Sequence, residues 1–208
     1  MNQKQYLWRE GVINWLEQNV SARRLNHILG VEATCVELAE CYNIPVKKAA
    51  KAGLLHDLAK FFPPEKLLKI ARQNNLNLDS ITKKHPHLLH AEVSAVIAKQ
   101  EFGVKNPKIL DAIGNHTLGN PKMSPLSCIL YIADTIEPNR GDTTELNRIR
   151  KIASQDMYRG VWETSDYALN YLMRDRKVIH SRTVLTRNWA LRKANSSVFL
   201  AKERSKIK

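Results

Sequence analysis

The chain has 208 residues, with 33 Lys and Arg against 20 Asp and Glu, which gives a formal net charge of +13. Its 43% apolar and 25% charged residues are typical of a globular protein and exclude bulk disorder. The basic balance indicates an anionic partner, which could be a nucleic acid, a membrane surface or a phosphorylated substrate. Because residues 174–208 carry 11 Lys and Arg against two acids, the rest of the chain does not favour a general DNA-binding face.

Apolar residues recur at three- and four-residue spacing along nearly the whole chain, which predicts an all-α protein. The first helix should cover residues 3–18, and Ser21 should cap a second helix that runs to about residue 41. Pro45 and the Pro63-Pro64 pair are typical of helix starts. Further helices are predicted at about 87–102, 107–115, 125–136, 144–156 and 158–173, before a segment over 178–192. We expect helix 1–19 to pack on one domain over 20–192, with a basic, flexible tail over 193–208.

Cysteine usage and apolar run lengths indicate the compartment. Cys35, Cys41 and Cys128 are an odd, widely spaced set, which fits a reduced cytosolic setting better than a disulfide framework. No apolar run approaches the roughly 18 residues of a membrane span. An export signal needs an apolar stretch where this chain has Trp8, Arg9 and Glu10. We therefore expect a cytoplasmic protein.

Ionisable residues lie on helix faces that should be buried. His27 shares a stripe with Val31 and Cys35, and His56 and Asp57 follow the apolar, small-residue run 49–55. Burying such groups is costly unless they are paired or bound to a cation. A single histidine on an apolar face is more often a core residue that is hydrogen-bonded to a carbonyl group.

The same pattern recurs further along the chain, at His90, His116 and Asp134. Asp134 follows the most apolar run of the chain, and backbone groups at a helix end could also satisfy its carboxylate. The joint pattern is harder to explain in that way, because the helices of one bundle would bring all these residues together. Histidine and aspartate ligands suit a divalent ion such as iron, manganese or zinc.

His27, the His56-Asp57 pair and the distant Asp134 resemble the signature of the HD-domain metal-dependent phosphohydrolases. The resemblance implies that these four residues bind one divalent metal ion. Lys60 ends a string, HDLAK, that is similar to the HD-x-x-K form of the signature. His90 and His116 resemble the additional ligands of the two-metal subgroup.

Four longer sequence segments resemble one particular group within this superfamily. Residues 24–31 (RLNHILGV), 112–117 (AIGNHT), 131–140 (YIADTIEPNR) and 178–183 (VIHSRT) resemble the YqeK-type symmetrical diadenosine tetraphosphate hydrolases. The similarity covers roughly residues 20–190. It implies an all-α, single HD-domain helical bundle with a metal site in its core. It also implies symmetrical hydrolysis of diadenosine tetraphosphate to two ADP with two divalent ions, iron by resemblance, although the residue types also allow manganese, cobalt or zinc.

The resemblance also implies roles for individual residues. Asp57 would bridge the two ions, and Asp57 and Lys60 would be the catalytic residues. Arg24 lies about one helical turn before His27 and should face the same opening. Substrate contacts are expected from Arg24, His56, Lys60, His116, Thr117, Asp134, Arg140, Lys177, His180 and Arg182.

Two alternatives stay open. Another HD phosphohydrolase, such as a nucleotidase or a guanosine tetraphosphate hydrolase, would use the same metal ligands. A basic helical nucleic-acid-binding protein would explain the charge but not the buried histidines and aspartates. We expect a dinucleoside polyphosphate substrate and an ADP product, with no membrane and no nucleic acid as partner. The sequence is compatible with a homodimer.

Overall fold

A computed structural model describes residues 3–206, and helices form its regular structure. The α-helices are α1 (Gln3–Asn19), α2 (Ala22–Cys41), α3 (Val46–Leu55), α4 (Pro64–Gln73), α5 (Ser80–Lys84), α6 (His90–Gln100), α7 (Pro107–Asn115), α8 (Pro125–Ile136), α9 (Thr144–Ala153), α10 (Met157–Arg174) and α11 (Ser181–Lys206). Two 3-10 helices cover Pro86–Leu89 and Pro138–Arg140. No strand occurs among residues 3–206, so the predicted all-α class is confirmed.

Local residues determine where most helices begin. The Ser21 hydroxyl accepts a hydrogen bond from the Arg24 N–H at 3.3 Å, as a helix cap does. Pro64, Pro107 and Pro125 each stand at the start of a helix, where the fixed backbone angle of proline is already helical. The chain therefore starts these helices with signals that can be read from the sequence.

The region between α4 and α6 differs from the expectation. The polar segment at 80–84 forms α5, which the apolar pattern did not predict. Its start is fixed by Asp79, whose carboxylate accepts hydrogen bonds from the N–H groups of Ile81 and Thr82. The first turn of the helix expected at 87–102 is a 3-10 helix, and the helix that follows Pro45, α3, ends at Leu55.

The core surrounds α2 and α8. Helix α8 packs between α2, α7 and α10, and most of its side chains are buried. Helices α2 and α3 pack closely because α3 carries Gly53, where a Cβ would lie 2.8 Å from the Glu32 Cα atom. This close approach brings the His27 face of α2 next to the end of α3, where His56 and Asp57 follow.

Helix α1 contacts the bundle through polar and apolar side chains. The Trp8 Nε1–H donates to the Phe102 carbonyl at 3.1 Å, and Arg9 pairs with Glu32 at 2.7 Å. Val12 and Leu16 of α1 are completely buried. The domain limits at 20 and 192 and the flexibility of the 193–208 tail stay predictions, and residues 207 and 208 lie outside the described part of the chain.

The cysteines are free: Cys35 and Cys128 are buried, and Cys41 is exposed. Burial raises the pKa of the Cys128 thiol to about 12, so this thiol stays protonated at neutral pH. Among the described helices, none has the length and hydrophobicity that crossing a bilayer would require.

Candidate metal centre and adjoining cleft

The ends of four helices and the second turn of α2 bring the predicted metal ligands together. His27 lies in α2, His56 and Asp57 follow α3, His90 begins α6, and His116 follows α7. Each of these five side chains is at most 8% exposed. Asp134, near the end of α8, is the sixth member, and its side chain is 21% exposed. Residues that are far apart in the sequence thus form one buried cluster of imidazoles and carboxylates.

The two oxygens of Asp57 face different histidines. Oδ2 lies 3.5 Å from the His56 Nε2 and 3.9 Å from the His27 Nε2. Oδ1 lies 3.3 Å from the His90 Nε2 and 3.5 Å from the His116 Nε2. Two ligands that are each about 2.1 Å from one ion stand about 3.0–3.4 Å apart at octahedral to tetrahedral angles, close to most of these separations. Asp57 therefore has the placement of a bridging carboxylate.

Asp134 joins one side of this arrangement. Its Oδ1 lies 3.1 Å from the His27 Nε2 and 3.9 Å from the His56 Nε2. We call His27, His56, Asp57 and Asp134 the first ligand group, and Asp57, His90 and His116 the second ligand group.

Backbone contacts fix the tautomers of three histidines. The Nδ1 atoms of His56, His90 and His116 lie 2.7, 2.6 and 2.8 Å from carbonyl oxygens three residues earlier. A carbonyl only accepts hydrogen bonds, so each Nδ1 carries a proton and each Nε2 directs a lone pair into the cluster. Burial lowers the pKa of His56 to about 3 and also lowers the pKa of His90, which keeps both rings neutral. This is the protonation state that a metal ligand needs.

Several acceptor atoms of the cluster face one another without a donor between them. The His27 Nε2, His56 Nε2 and Asp57 Oδ1 are buried and make no hydrogen bond. The Nε2 atoms of His90 and His116 lie 3.2 Å apart, although neither carries a proton. Acceptors in such an arrangement repel one another unless a cation lies between them. The donor set therefore fits divalent metal ions, whose identity the residue types leave open among iron, manganese, cobalt and zinc.

His27 obtains its orientation from a residue that the sequence analysis missed. Its Nδ1 lies 2.9 Å from Oε1 of Glu137, a glutamate that is 1% exposed. Metal-binding histidines commonly donate their second N–H to a carboxylate in this way. The available signal was a glutamate three residues after Asp134, in the same conspicuous string.

Four of the predicted substrate contacts lie at the ligands themselves. Arg24 Nη1 is 2.8 Å from the Asp57 Oδ2, and Arg140 Nη2 is 2.7 Å from the Asp134 Oδ1. On the other side, the Lys60 Nζ and the Thr117 Oγ1 lie 3.2 and 3.0 Å from the His90 Nε2. Three cations thus surround the cluster of acceptors.

A cleft of about 840 Å³ adjoins the first ligand group. Its lining includes His27, Arg24 and Arg140 together with the aromatic residues Phe61 and Tyr171. Phe61 is 53% and Tyr171 is 42% exposed, so both rings are accessible from the cleft that they line. Neither aromatic residue belongs to a motif that the sequence shows.

Lys177 belongs to the rim of this cleft, since its Nζ contacts the Tyr171 hydroxyl. The ammonium group also lies 4.4 Å from the centre of the Tyr171 ring. Lys177 is therefore next to a residue that lines the cleft, as its predicted substrate role requires.

The structure gives His180 and Arg182 contacts within the protein, and their substrate contacts stay predictions. Both ring nitrogens of His180 are used, by Asp79 at 2.6 Å and by the Arg182 N–H at 3.1 Å. The Arg182 guanidinium donates to Glu92 at 2.6 Å and to the Gly119 carbonyl at 2.9 and 3.1 Å. The hydrogen bonds from Thr82 and His180 lower the pKa of Asp79 to about 2. These contacts attach the start of α11 to the helices around the cluster.

The helical bundle and its histidine and aspartate cluster define the class of protein. The family model of the HD domain matches residues 24–139. A structure described as a predicted HD superfamily hydrolase involved in NAD metabolism, from Clostridium acetobutylicum, is 33% identical with a TM-score of 0.84. The match covers 88% of this chain and 97% of that one.

Relatives that match this chain over most of their own length indicate which branch of the HD domain family it belongs to. A Bacillus subtilis protein named symmetrical bis(5'-nucleosyl)-tetraphosphatase is 35% identical over 87% of this chain and 96% of its own length. A Staphylococcus aureus protein of the same name is 30% identical over 81% of this chain and 87% of its own length. The chain belongs to the HD domain family, in the branch that contains the symmetrical bis(5'-nucleosyl)-tetraphosphatases. The family resemblance is thereby confirmed, and the protein is a hydrolase.

Proposed function

We propose that this protein hydrolyses diadenosine tetraphosphate symmetrically to two molecules of ADP with two divalent metal ions, which are iron in the native enzyme. The observation that carries the proposal is Asp57, whose two oxygens face two separate pairs of histidines. The names of the relatives support the substrate and the symmetrical cleavage.

The residues divide between the two ions as their distances indicate. The first ligand group would hold one ion and the second ligand group the other, with Asp57 shared. When bound, such ions lower the pKa of a water molecule and neutralise charge on the phosphate oxygens. The acceptor atoms without hydrogen bonds in the cluster support this assignment.

The surrounding cations suit a polyphosphate. Arg24 and Arg140 lie beside the first ligand group and line the cleft, so their planar guanidinium groups can bind phosphate oxygens in pairs. Lys60 lies beside the second ligand group, where its ammonium group can neutralise charge on the leaving phosphate. The Thr117 hydroxyl can donate to a phosphate oxygen at the same place.

The cleft suits the nucleoside part of one product. Phe61 and Tyr171 offer exposed aromatic faces, and the cleft volume of about 840 Å³ is within the range of small-molecule sites. Stacking of a base on an aromatic side chain contributes about 1–3 kcal/mol. A base on these rings would leave its phosphates next to Arg24 and Arg140.

A product assay tests the proposal. Purified protein is incubated with diadenosine tetraphosphate after addition of iron(II), manganese, cobalt or zinc, and the nucleotides are separated by ion-exchange chromatography. We expect ADP alone, two per substrate consumed, and no product after chelation of the metals. Formation of AMP with ATP, or faster hydrolysis of a nucleoside monophosphate or of guanosine tetraphosphate, would contradict the proposal.

A pair of variants tests the role of the cations. Arg24→Ala should raise KM for the tetraphosphate by about tenfold or more, since charged hydrogen bonds contribute about 1.5–3 kcal/mol, and should leave two metal ions bound. Arg72→Ala, on the exposed end of α4, is the matched control and should behave as the parent protein. Loss of a metal ion from Arg24→Ala would instead give Arg24 a structural role.

A further inference from the structure

We propose that Glu137 is the positioning residue for the His27 imidazole and that Gly30 is small because the Glu137 carboxylate occupies the space beside it. Together they would set the tautomer and orientation of one ligand of the first ligand group. The inference rests on the proposed function, because it assigns these residues to one of the two proposed ions.

His27 differs from the other histidines of the cluster in its place in the fold. His56, His90 and His116 stand at helix ends and donate to carbonyl groups of the turn before them. His27 lies inside α2, and its Nδ1–H does not donate to a carbonyl of its own helix. Its acceptor comes from outside the helix, since Glu137 Oε1 lies 2.9 Å away.

The Glu137 carboxylate is held in one orientation. Its Oε1 accepts from His27, and its Oε2 accepts from the Asn139 backbone N–H at 2.7 Å and from the Asn139 Nδ2 at 2.9 Å. The same Nδ2 lies 3.2 Å from the carbonyl oxygen of Asn26, the neighbour of His27. Both carboxylate oxygens thus have donors, and the pair Glu137–Asn139 is attached to the helix that carries the imidazole.

Gly30 is a second, independent observation that supports the positioning role of Glu137. It stands three residues after His27 on α2, and a Cβ added there would lie 2.3 Å from the Glu137 Oε2 and 2.9 Å from the Asn139 Nδ2. Any larger residue would displace the carboxylate. A glycine inside a helix is unfavourable relative to alanine, so this position is explained by the space that the carboxylate needs.

Glutamine cannot replace Glu137 here, although it has the same shape. If its amide oxygen accepts from His27, its NH₂ group faces the two donors of Asn139. If the amide is reversed, the NH₂ group faces the His27 Nδ1 and forces the proton onto Nε2, which removes the lone pair of the ligand. Either arrangement weakens the first ligand group and leaves the second ligand group unchanged.

Cobalt(II) titration of the metal-free protein, followed by its visible absorption, tests the proposal without substrate. Glu137→Gln and Gly30→Ala should each weaken one of two binding events by about 10–100-fold and change its spectrum. Glu163→Gln removes another buried carboxylate, which pairs with Arg148, and Gly11→Ala places a Cβ where nothing lies within 4 Å. Both controls should bind cobalt as the parent protein does.

A double variant distinguishes the effect of displacing the Glu137 carboxylate from a general folding defect. Glu137→Ala removes the carboxylate that lies 2.3 Å from a Cβ at position 30, and only the end of the Asn139 side chain must then shift. Adding Gly30→Ala to Glu137→Ala should therefore cause little further loss of cobalt affinity. Parent-like affinity and spectrum in Glu137→Gln, or equal losses from Gly30→Ala with and without Glu137, would overturn the inference while the proposed function stands. A parent protein that binds no cobalt would overturn both.

Discussion

At the scale of single residues, Asp57 has a position that no other ligand shares. It is buried, and it belongs to both ligand groups, whereas each histidine belongs to one. What distinguishes Asp57 is therefore that each of its two oxygens faces a different ligand group. This asymmetry between ligands can be measured directly.

Asp57→Ala should bind neither metal ion, whereas His90→Ala should keep the ion of the first ligand group. Turnover should fall to background in both variants, because the proposed chemistry needs both ions. Metal content after gel filtration, determined by mass spectrometry, checks the stoichiometry. His85→Ala, a histidine outside the ligand groups, serves as the control. An equal metal content in Asp57→Ala and His90→Ala would contradict the division into two groups.

Lys60 competes with a metal ion for the same lone pair. Its Nζ lies 3.2 Å from the His90 Nε2 and must leave this position when the imidazole becomes a ligand. Lys60→Met should therefore bind the second ion at least as tightly as the parent protein. Its kcat should fall by about 10²–10³, the usual loss when one donor to the developing charge is removed. Metal titration and steady-state kinetics measure the two effects, and a variant with weaker metal binding and unchanged kcat would refute this role.

At the scale of secondary structure elements, the start of α11 is fixed by contacts far away in sequence. Arg182 connects it to Glu92 in α6 and to Gly119 after α7. Gly119 has a φ of +66°, and a Cβ there would lie 2.5 Å from Thr186 of α11. The turn after α7, which follows the ligand His116, is thereby packed against α11.

Variants of Arg182 and Lys177 separate anchoring from substrate binding. Arg182→Met should lower the free energy of unfolding by about 1–3 kcal/mol, because it leaves partly buried acceptors unpaired. Its KM for the tetraphosphate should not change. Lys177→Met, at the exposed rim of the cleft, should instead raise KM and leave stability within about 0.5 kcal/mol of the parent. Urea unfolding and steady-state kinetics measure the two effects, and a raised KM with unchanged stability in Arg182→Met would contradict an anchoring role and support Arg182 as a substrate contact.

The sequence predicted the elements that depend on local signals. Ser21 and the prolines at helix starts act within a few residues, so their effect is visible without the fold. Helix α5 was missed because its five residues are too few for a periodic pattern, and a carboxylate cap begins it. The contact of His180 with Asp79 could not be predicted, because the two residues are 101 positions apart and no local pattern connects them.

In the candidate site, too, the residues that local patterns indicate were predicted, and those that depend on tertiary contacts were missed. The six residues proposed as ligands were visible as ionisable residues on apolar helix faces, and the structure brings them together. Glu137 was missed because an acidic residue in a turn is ordinary, and only the packing of α8 against α2 shows that it reaches His27. Tyr171 was missed because its exposure and its place in the cleft depend on the tertiary fold.

At the scale of the whole molecule, metal binding should stabilise the fold. A ligand at about 100 times its Kd stabilises the native state by about 2.7 kcal/mol per site. For a chain of this size, each kcal/mol raises Tm by about 2–4 °C. Chelation should therefore lower Tm by about 5–10 °C for each ion that is removed, as measured by differential scanning calorimetry. Asp57→Ala is the control, and a chelator effect of the same size in that variant would contradict metal binding at this cluster.

The shared carboxylate also makes the two proposed ions thermodynamically dependent on each other. An ion in the first ligand group draws electron density from Asp57 and repels a second cation, while it also fixes the carboxylate in the orientation that the second ion needs. Whichever effect is larger, linkage requires that each ion changes the affinity for the other by the same factor. The occupancy of the centre at a given metal concentration is therefore a property of the pair, with Asp57 as the physical connection between them.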